Sequence, residues 1–465
     1  MPLFILYLSI IGEGNAVFPN TLIYVSLTLV VVTAMLCQWI LMLRAWPTRW
    51  AVLDQNNVFK YYNILILFAL LSLSVCYRHS RTMFLTVIGG SGALATTYLL
   101  VMKQRLSPVA KYYLDVLLIT ALGLAARGQK LITVPFATDS DMLYLIKKAI
   151  GEFLAFNNPY KFYVMDQIPT STYQLPLTYL PLKWLAFMPA YLMNVDLRIT
   201  TIMADVGIFI LIAMLLNKLM TNDQFKWIGL GFSALYFLSG YFAVRIDAEI
   251  SVFSSLLALT VLLLMLNKTG AFSIFLGLCL ATNQLTILVI PFFFIHFVFR
   301  DGVNSAIKVF LTTMAVALVL IIPFVITSPQ GFKIGLWDKW EQLTAYDYRW
   351  ASALFKNINF SVLFYKFHWQ GYLKFIQFGL CLAVFSFFII GKYYRKLTQV
   401  IIFSSATIFI FLIFNIIVWT YLFQPVVVLT VLAIISHRVE DNRQTKILDN
   451  IDFDHSSRNC IAVNS

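Results

Sequence analysis

Long apolar runs recur along almost the whole chain and set its pattern. Clear runs cover residues 21–43, 61–77, 83–102, 112–126, 197–216, 227–243, 250–266, 308–327, 373–391, 399–418 and 420–436. Many of them reach the ~17–25 residues that a helix needs to cross the hydrocarbon core. Inside lipid a segment must satisfy its own backbone polar groups, so these runs predict helices and not strands. Two stretches break the pattern. Residues 272–299 are interrupted by Thr282, Asn283 and Gln284 and predict two short helices meeting near one face. Residues 174–193 carry Pro176, Pro181 and Pro189, and proline removes a helical hydrogen bond and kinks the chain. A broken span and a helix lying at the interface both fit that segment. The expected fold class is an all-α polytopic membrane protein with a bundle of about 11–14 transmembrane helices.

Composition excludes a soluble domain. Hydrophobic residues make up 60% of the 465 and charged residues only 12%, against roughly 25% in soluble proteins. The net charge of +13 reads as membrane orientation. No Lys/Arg block long enough for nucleic acid is present, so no nucleic-acid partner is expected. The short basic connections around Lys103, Lys218, Lys268, Arg300 and 391–396 fall on the cytoplasmic side if 174–193 does not fully cross and 272–299 forms a hairpin. The outer face then carries 127–173 and 328–372. This divides the chain into N-terminal transmembrane helices (1–126), a core (127–300) containing the outer loop 127–173, and C-terminal helices (301–436) with the outer loop 328–372. A polar tail (437–465) is too poor in apolar residues to fold alone and is expected to be disordered and cytoplasmic. Residues 1–12 are similar to a signal-peptide core, but they have no basic start or small-residue cleavage site and read as retained. The five cysteines lie far apart without a CxxC pair, and the histidines are scattered. Neither a disulfide framework nor a metal site is expected, and no cofactor is implied.

Candidate chemistry concentrates between residues 138 and 182. Asp139 and Asp141 follow directly after a span, so a carboxylate stands at the outer membrane boundary. Leu143, Ile146, Ala149, Ile150 and Phe153 then recur at helical spacing, with Lys147, Lys148 and Glu152 on the other side. That pattern predicts an interfacial helix near 141–155, ended by Asn158-Pro159-Tyr160. An aspartate before such a helix is also an ordinary cap. Further along, Arg198 and Asp205 stand two turns apart on one helix face, where ionisable groups are costly. Pairing with neighbours explains them as well as a substrate role does. Arg245, Asp247 and Glu249 sit at a predicted boundary, and Asn283 and Gln284 serve equally well as the cap of a helix break.

The order of these features resembles the GT-C superfamily of membrane glycosyltransferases. An acidic residue after an early span, an interfacial helix, Asn158-Pro159-Tyr160 and then Tyr179-Leu180-Pro181-Leu182 are similar to the "D…G-NPY…YPPL" layout of the polyprenyl-phosphate-mannose-dependent mannosyltransferases, GPI mannosyltransferase I catalytic subunits among them. The resemblance covers roughly 130–300 and continues through VRIDAE (244–249) and GLCLATNQLTILVIP (277–291). Leu180 stands where the family usually has a proline, and Asn283 and Gln284 stand where a lysine is common. Four spans precede Asp139 where the family has one.

The resemblance implies a GT-C-like bundle that takes a polyprenyl-phosphate-linked sugar donor from the lipid bilayer. The acceptor would be a glycan, glycolipid or protein. Asp139 or Asp141 would be the general base, with the start of the helix favouring Asp141. Arg198, Arg245, Asn283 and Gln284 would hold the donor phosphate. Asn158, Tyr160, Tyr179, Asp247 and Arg349 would line the substrate site. The location would be multi-pass in the plasma membrane of a prokaryote or the endoplasmic reticulum of a eukaryote. A transporter or flippase of lipid-linked sugars and an O-antigen-type polymerase or ligase are the competing classes.

Overall fold

A computed structural model describes residues 29–30, 32–40, 61–67, 69–70, 107–136, 141–165, 173–220, 223–239, 242–243, 245–338, 360–415, 420–437 and 439–440. Asp139, Arg349, the run 83–102 and the tail beyond residue 440 lie outside them. The described chain is mostly helical. Four helices are long and apolar enough to cross a membrane: α1 (Pro108–Thr133), α5 (Arg198–Leu219), α10 (Val303–Thr327) and Gln370–Ile390, which contains α13 (Leu373–Ile390). Shorter apolar helices pack among them: α7 (Ile250–Met265), α8 (Thr269–Thr282), α14 (Leu397–Ile413) and α15 (Tyr421–His437). Leu311, Val319 and Ile326 on α10 and Phe375, Phe378 and Ile390 on α13 face outward. Apolar residues exposed this densely on a helix belong against lipid. The chain is a helical membrane protein.

Local signals explain several boundaries. Ser107 caps α1 through Ala110 N (3.2 Å), with Pro108 in the first turn, where its missing N–H costs nothing. The break in 272–299 is real: α8 ends at Thr282 and α9 (Thr286–Asp301) follows. Asn283 turns the chain there, its Oδ1 accepting from Leu285 N at 3.0 Å. The two helices form a hairpin, since Arg300 near the end of α9 donates to Thr269 at the start of α8 (3.4 Å). Gly302, at φ +85°, then reverses the chain into α10, a backbone conformation that favours glycine. Gly277 lets α8 approach α10 so closely that a Cβ would lie 2.6 Å from the Thr313 carbonyl.

The structure resolves 174–193 against a span. It forms a short strand and two one-turn helices, α3 (Pro181–Leu185) and α4 (Met188–Leu192), each with proline in its first turn. The strand β2 (Tyr173–Pro176) pairs antiparallel with β1 (Phe162–Met165). This hairpin was not expected, because four-residue strands leave little periodicity to read.

A second difference lies in α1. The apolar run ends at residue 126, and a boundary drawn there falls inside the helix. Arg127 and Lys130 continue it because carboxylates from other elements meet both side chains.

α2 (Asp141–Leu154) forms where an amphipathic helix is expected. Its apolar face, Leu143, Ile146, Ala149 and Ile150, is fully buried against Tyr160, Trp184 and Phe187. That cover is protein and not an open interface. Periodicity reports an apolar neighbour without saying which kind. These residues form a second, smaller core outside the bundle core, and Met142 and Leu256 pack on both. The end of α10 closes the small core with Phe324, and α11 (Pro329–Lys333) adds Phe332 on the Tyr160 ring at 4.9 Å. Parts of the two expected outer loops therefore touch each other. Glu440, within the segment 437–465 expected to be disordered, caps α14 by accepting from Leu397 N (2.6 Å) and the Thr398 hydroxyl (2.8 Å).

The docking of α11 depends on the absence of a side chain at Gly331, where a Cβ would collide with the Tyr160 carbonyl oxygen. Gly331→Ala is expected to cost about 1–3 kcal/mol by overpacking. Gly371→Ala, where nothing lies within 4 Å, should leave stability unchanged. Thermal unfolding of the two variants in detergent checks the contrast.

Candidate functional site

The site grows from the last turns of α1. Residues three apart on a helix share a face, so Arg127 and Lys130 both look into the bundle. Arg127 meets Asp205 of α5, its Nη2 donating to Oδ2 at 3.2 Å, and donates further to the Phe237 and Gly123 carbonyls. Both side chains have 0% exposure. Gln424 of α15 donates to the other Asp205 oxygen at 2.9 Å and to the Tyr236 hydroxyl at 2.9 Å. The Ser251 and Ser254 hydroxyls donate to Gln424 Oε1. Five helices, α1, α5, α6 (Asp223–Phe237, which carries Tyr236 and Phe237), α7 and α15, are thereby joined at one polar node.

Nearer the end of the bundle the pairing repeats with more exposure. Asp247 holds two cations, Lys130 on Oδ1 at 3.1 Å and Arg245 on Oδ2 at 3.3 Å. Glu249 pairs with Lys183 of α3 at 3.0 Å, and that ammonium also lies 4.7 Å from the Tyr179 ring centre. The segment 245–249 is thus tied to α1 on one side and to the outer subdomain on the other. Of the Asp247 group, Arg245 is the most open, with 30% of its side chain exposed.

The other expected site residues take these places. Arg198 does not pair with Asp205, which meets Arg127 instead. Its Nη2 donates to Asp196 at 2.6 Å and its Nη1 to the Val134 carbonyl at 2.8 Å. It clasps the end of α1, which an arginine at the first residue of α5 can reach. Asn158 donates to the Thr327 hydroxyl (2.8 Å) and accepts from Tyr160 N (2.7 Å), fixing the Asn158-Pro159-Tyr160 turn to α10. The Tyr160 hydroxyl donates to the Tyr179 carbonyl (2.8 Å), and burial pushes its pKa above the ordinary tyrosine range. Below the same turn, the Lys161 ammonium beside Glu152 lowers that carboxyl's pKa. Asn283 is buried in its turn and Gln284 is exposed. Asp141 opens α2, at the first-turn position the sequence assigns to it.

Arg127, Lys130, Lys183 and Gln424 were missed as site residues. The first two carried a readable signal, two cations one helical turn apart directly after an apolar run. Gln424 is a lone amide in an apolar segment and carried none. The node and the Asp247 group share one end of the bundle with the start of α2, because Tyr421, one turn before Gln424, donates to Met142 Sδ at 2.8 Å.

No protein-family model, curated protein or solved structure matches the chain.

The geometry separates holding from reaching. Arg198→Ala strips the part-buried Leu131 and Val134 carbonyls of their donor and leaves Asp196 without its arginine, and is expected to cost about 2–3 kcal/mol. Arg245→Ala leaves Asp247 paired with Lys130 and should cost less than about 1 kcal/mol. Thermal midpoints of the two purified variants test the ranking.

Proposed function

We propose that the chain is a membrane glycosyltransferase of the GT-C kind, moving a hexose, with mannose favoured, from a polyprenyl-phosphate donor to an acceptor hydroxyl. The observation that carries this reading is the Asp247 group. One carboxylate gathers Lys130 and the half-open Arg245 at the end of the bundle where α2 begins with Asp141. Lysine and arginine beside an acidic residue at a membrane boundary suit a lipid phosphate and an incoming hydroxyl together. The proposed bundle has about 11–14 spans, with the outer subdomain over its active end.

In the reaction the acceptor oxygen bonds to the anomeric carbon as the bond from that carbon to the phosphate oxygen breaks. The carboxylate of Asp141, or of Asp139, takes the hydroxyl proton. The electron pair leaves on the polyprenyl phosphate, and Arg245 with Lys130 stabilises its charge. Arg198 is committed to the end of α1, and Arg245, paired with Asp247 but more exposed than Arg198, is the principal phosphate contact of this reading. Tyr160, Tyr179 and Asn158 shape the subdomain that faces this end.

The test is sugar transfer from radiolabelled polyprenyl-phosphate mannose by the purified chain in lipid nanodiscs. Asp141→Asn should lose ~10²–10⁴-fold in rate, as removal of a general base does, while donor binding persists. Arg245→Ala should weaken donor binding with the fold intact. If Asp139→Asn is inactive and Asp141→Asn is not, the two exchange roles. Normal transfer by both variants contradicts the assignment. Movement of the lipid-linked sugar across vesicles with no covalent change would replace the transferase with a transporter.

A further inference from the structure

The Asp205 node lies outside the chemistry just described, yet it reaches the start of α2 through one short path. Gln424 stands in the first turn of α15 and is anchored to Asp205 and Tyr236 at 2.9 Å each. Tyr421, three residues earlier on the same helix start, donates its hydroxyl to Met142 Sδ. Met142 follows Asp141 directly and packs on both the bundle core and the small outer core. Both Gln424 and Tyr421 are buried. A buried polar node bonded on every side has one low-energy arrangement, because a partly satisfied one is costly in an apolar medium. The position of α15 is therefore set by its bonds, and that of Met142 follows from α15.

We propose that Gln424 and Tyr421 are positioning residues that carry the Arg127–Asp205 ion pair to the first turn of α2 and so fix the backbone from which Asp141 acts. The proposal rests on the transferase reading for its consequence and on the contacts alone for its mechanism. Neither residue touches substrate. Without their bonds, α15 and α2 keep their apolar packing but lose the register between them. A shift on the order of 1 Å in a reacting group costs up to ~10²-fold in rate, so the effect falls on turnover and spares donor affinity.

The test combines two readouts on the full chain in nanodiscs, for Tyr421→Phe and Gln424→Leu. Hydrogen exchange of backbone amides in 141–150 should accelerate about tenfold in both variants, while amides of the α8–α9 hairpin stay at the wild-type rate. Transfer should show kcat down about tenfold or more with KM for polyprenyl-phosphate mannose within about twofold. The double variant should be no worse than Gln424→Leu alone, because both act along one path. Unchanged exchange in 141–150 overturns the proposal, and so does faster exchange with wild-type kcat. Faster exchange in a protein whose wild type transfers no sugar keeps the mechanical link and removes the transferase reading. Tyr421→Phe deletes one oxygen, so it carries the test if Gln424→Leu does not fold.

Discussion

A guanidinium and a carboxylate, neither exposed to solvent, face each other at 3.2 Å inside an apolar bundle, and the rest of the structure is arranged around that pair. Burying either charge alone costs several kcal/mol, and their attraction repays this only when every remaining donor and acceptor is also met. That requirement explains why the carbonyls of Gly123 and Phe237 turn towards Arg127 and why Gln424 and Tyr236 complete Asp205. Gly123 shares α1 with Arg127, while Asp205, the adjacent Tyr236 and Phe237, and Gln424 come from three other helices. The ion pair thereby sets which helices are neighbours and at what depth, a specification that apolar packing against lipid does not supply by itself.

The same rule runs outward with a graded exposure. Arg127 is closed, Lys130 is nearly so, and Arg245 keeps 30% of its side chain exposed while paired with Asp247. Asp247 lies between the last two and orients both. Lys183 with Glu249 and Arg198 with Asp196 repeat the pairing to hold the outer subdomain and the end of α1 in place. The proposed division between charges that hold the fold and a charge that would meet a ligand follows that gradient of burial.

Much of the architecture was legible in the residues. Apolar run lengths located α5, α10, α13, α14 and α15 within a few positions, and the polar break at 282–284 located the turn between α8 and α9. The amphipathic period of α2 named its buried face correctly and misread the cover, since protein and lipid are alike to a leucine. The end of α1 was placed seven residues early, because a charge pattern read along one chain cannot show a partner 78 residues away. Asp205 lies two turns after Arg198 on α5, both buried, and its pairing with Arg127 is a neighbour pairing of the kind the sequence left open. Tertiary pairing decided each of these cases. Of the candidate residues, Arg245 and Asp247 stand together, and Asp141 opens α2 at the position the sequence assigns to it. Lys130 carried a signal that went unread, whereas Gln424 emerged only when the fold set it beside Asp205.

The most direct test of this account is the stability of Arg127→Met, Asp205→Leu and their combination, measured by thermal unfolding in one detergent. Each single change leaves an unpaired buried charge and is expected to cost about 3–5 kcal/mol, and the double change should recover most of that loss. A single variant as stable as the parent, or a double variant whose losses simply add, would contradict the claim that this ion pair organises the bundle.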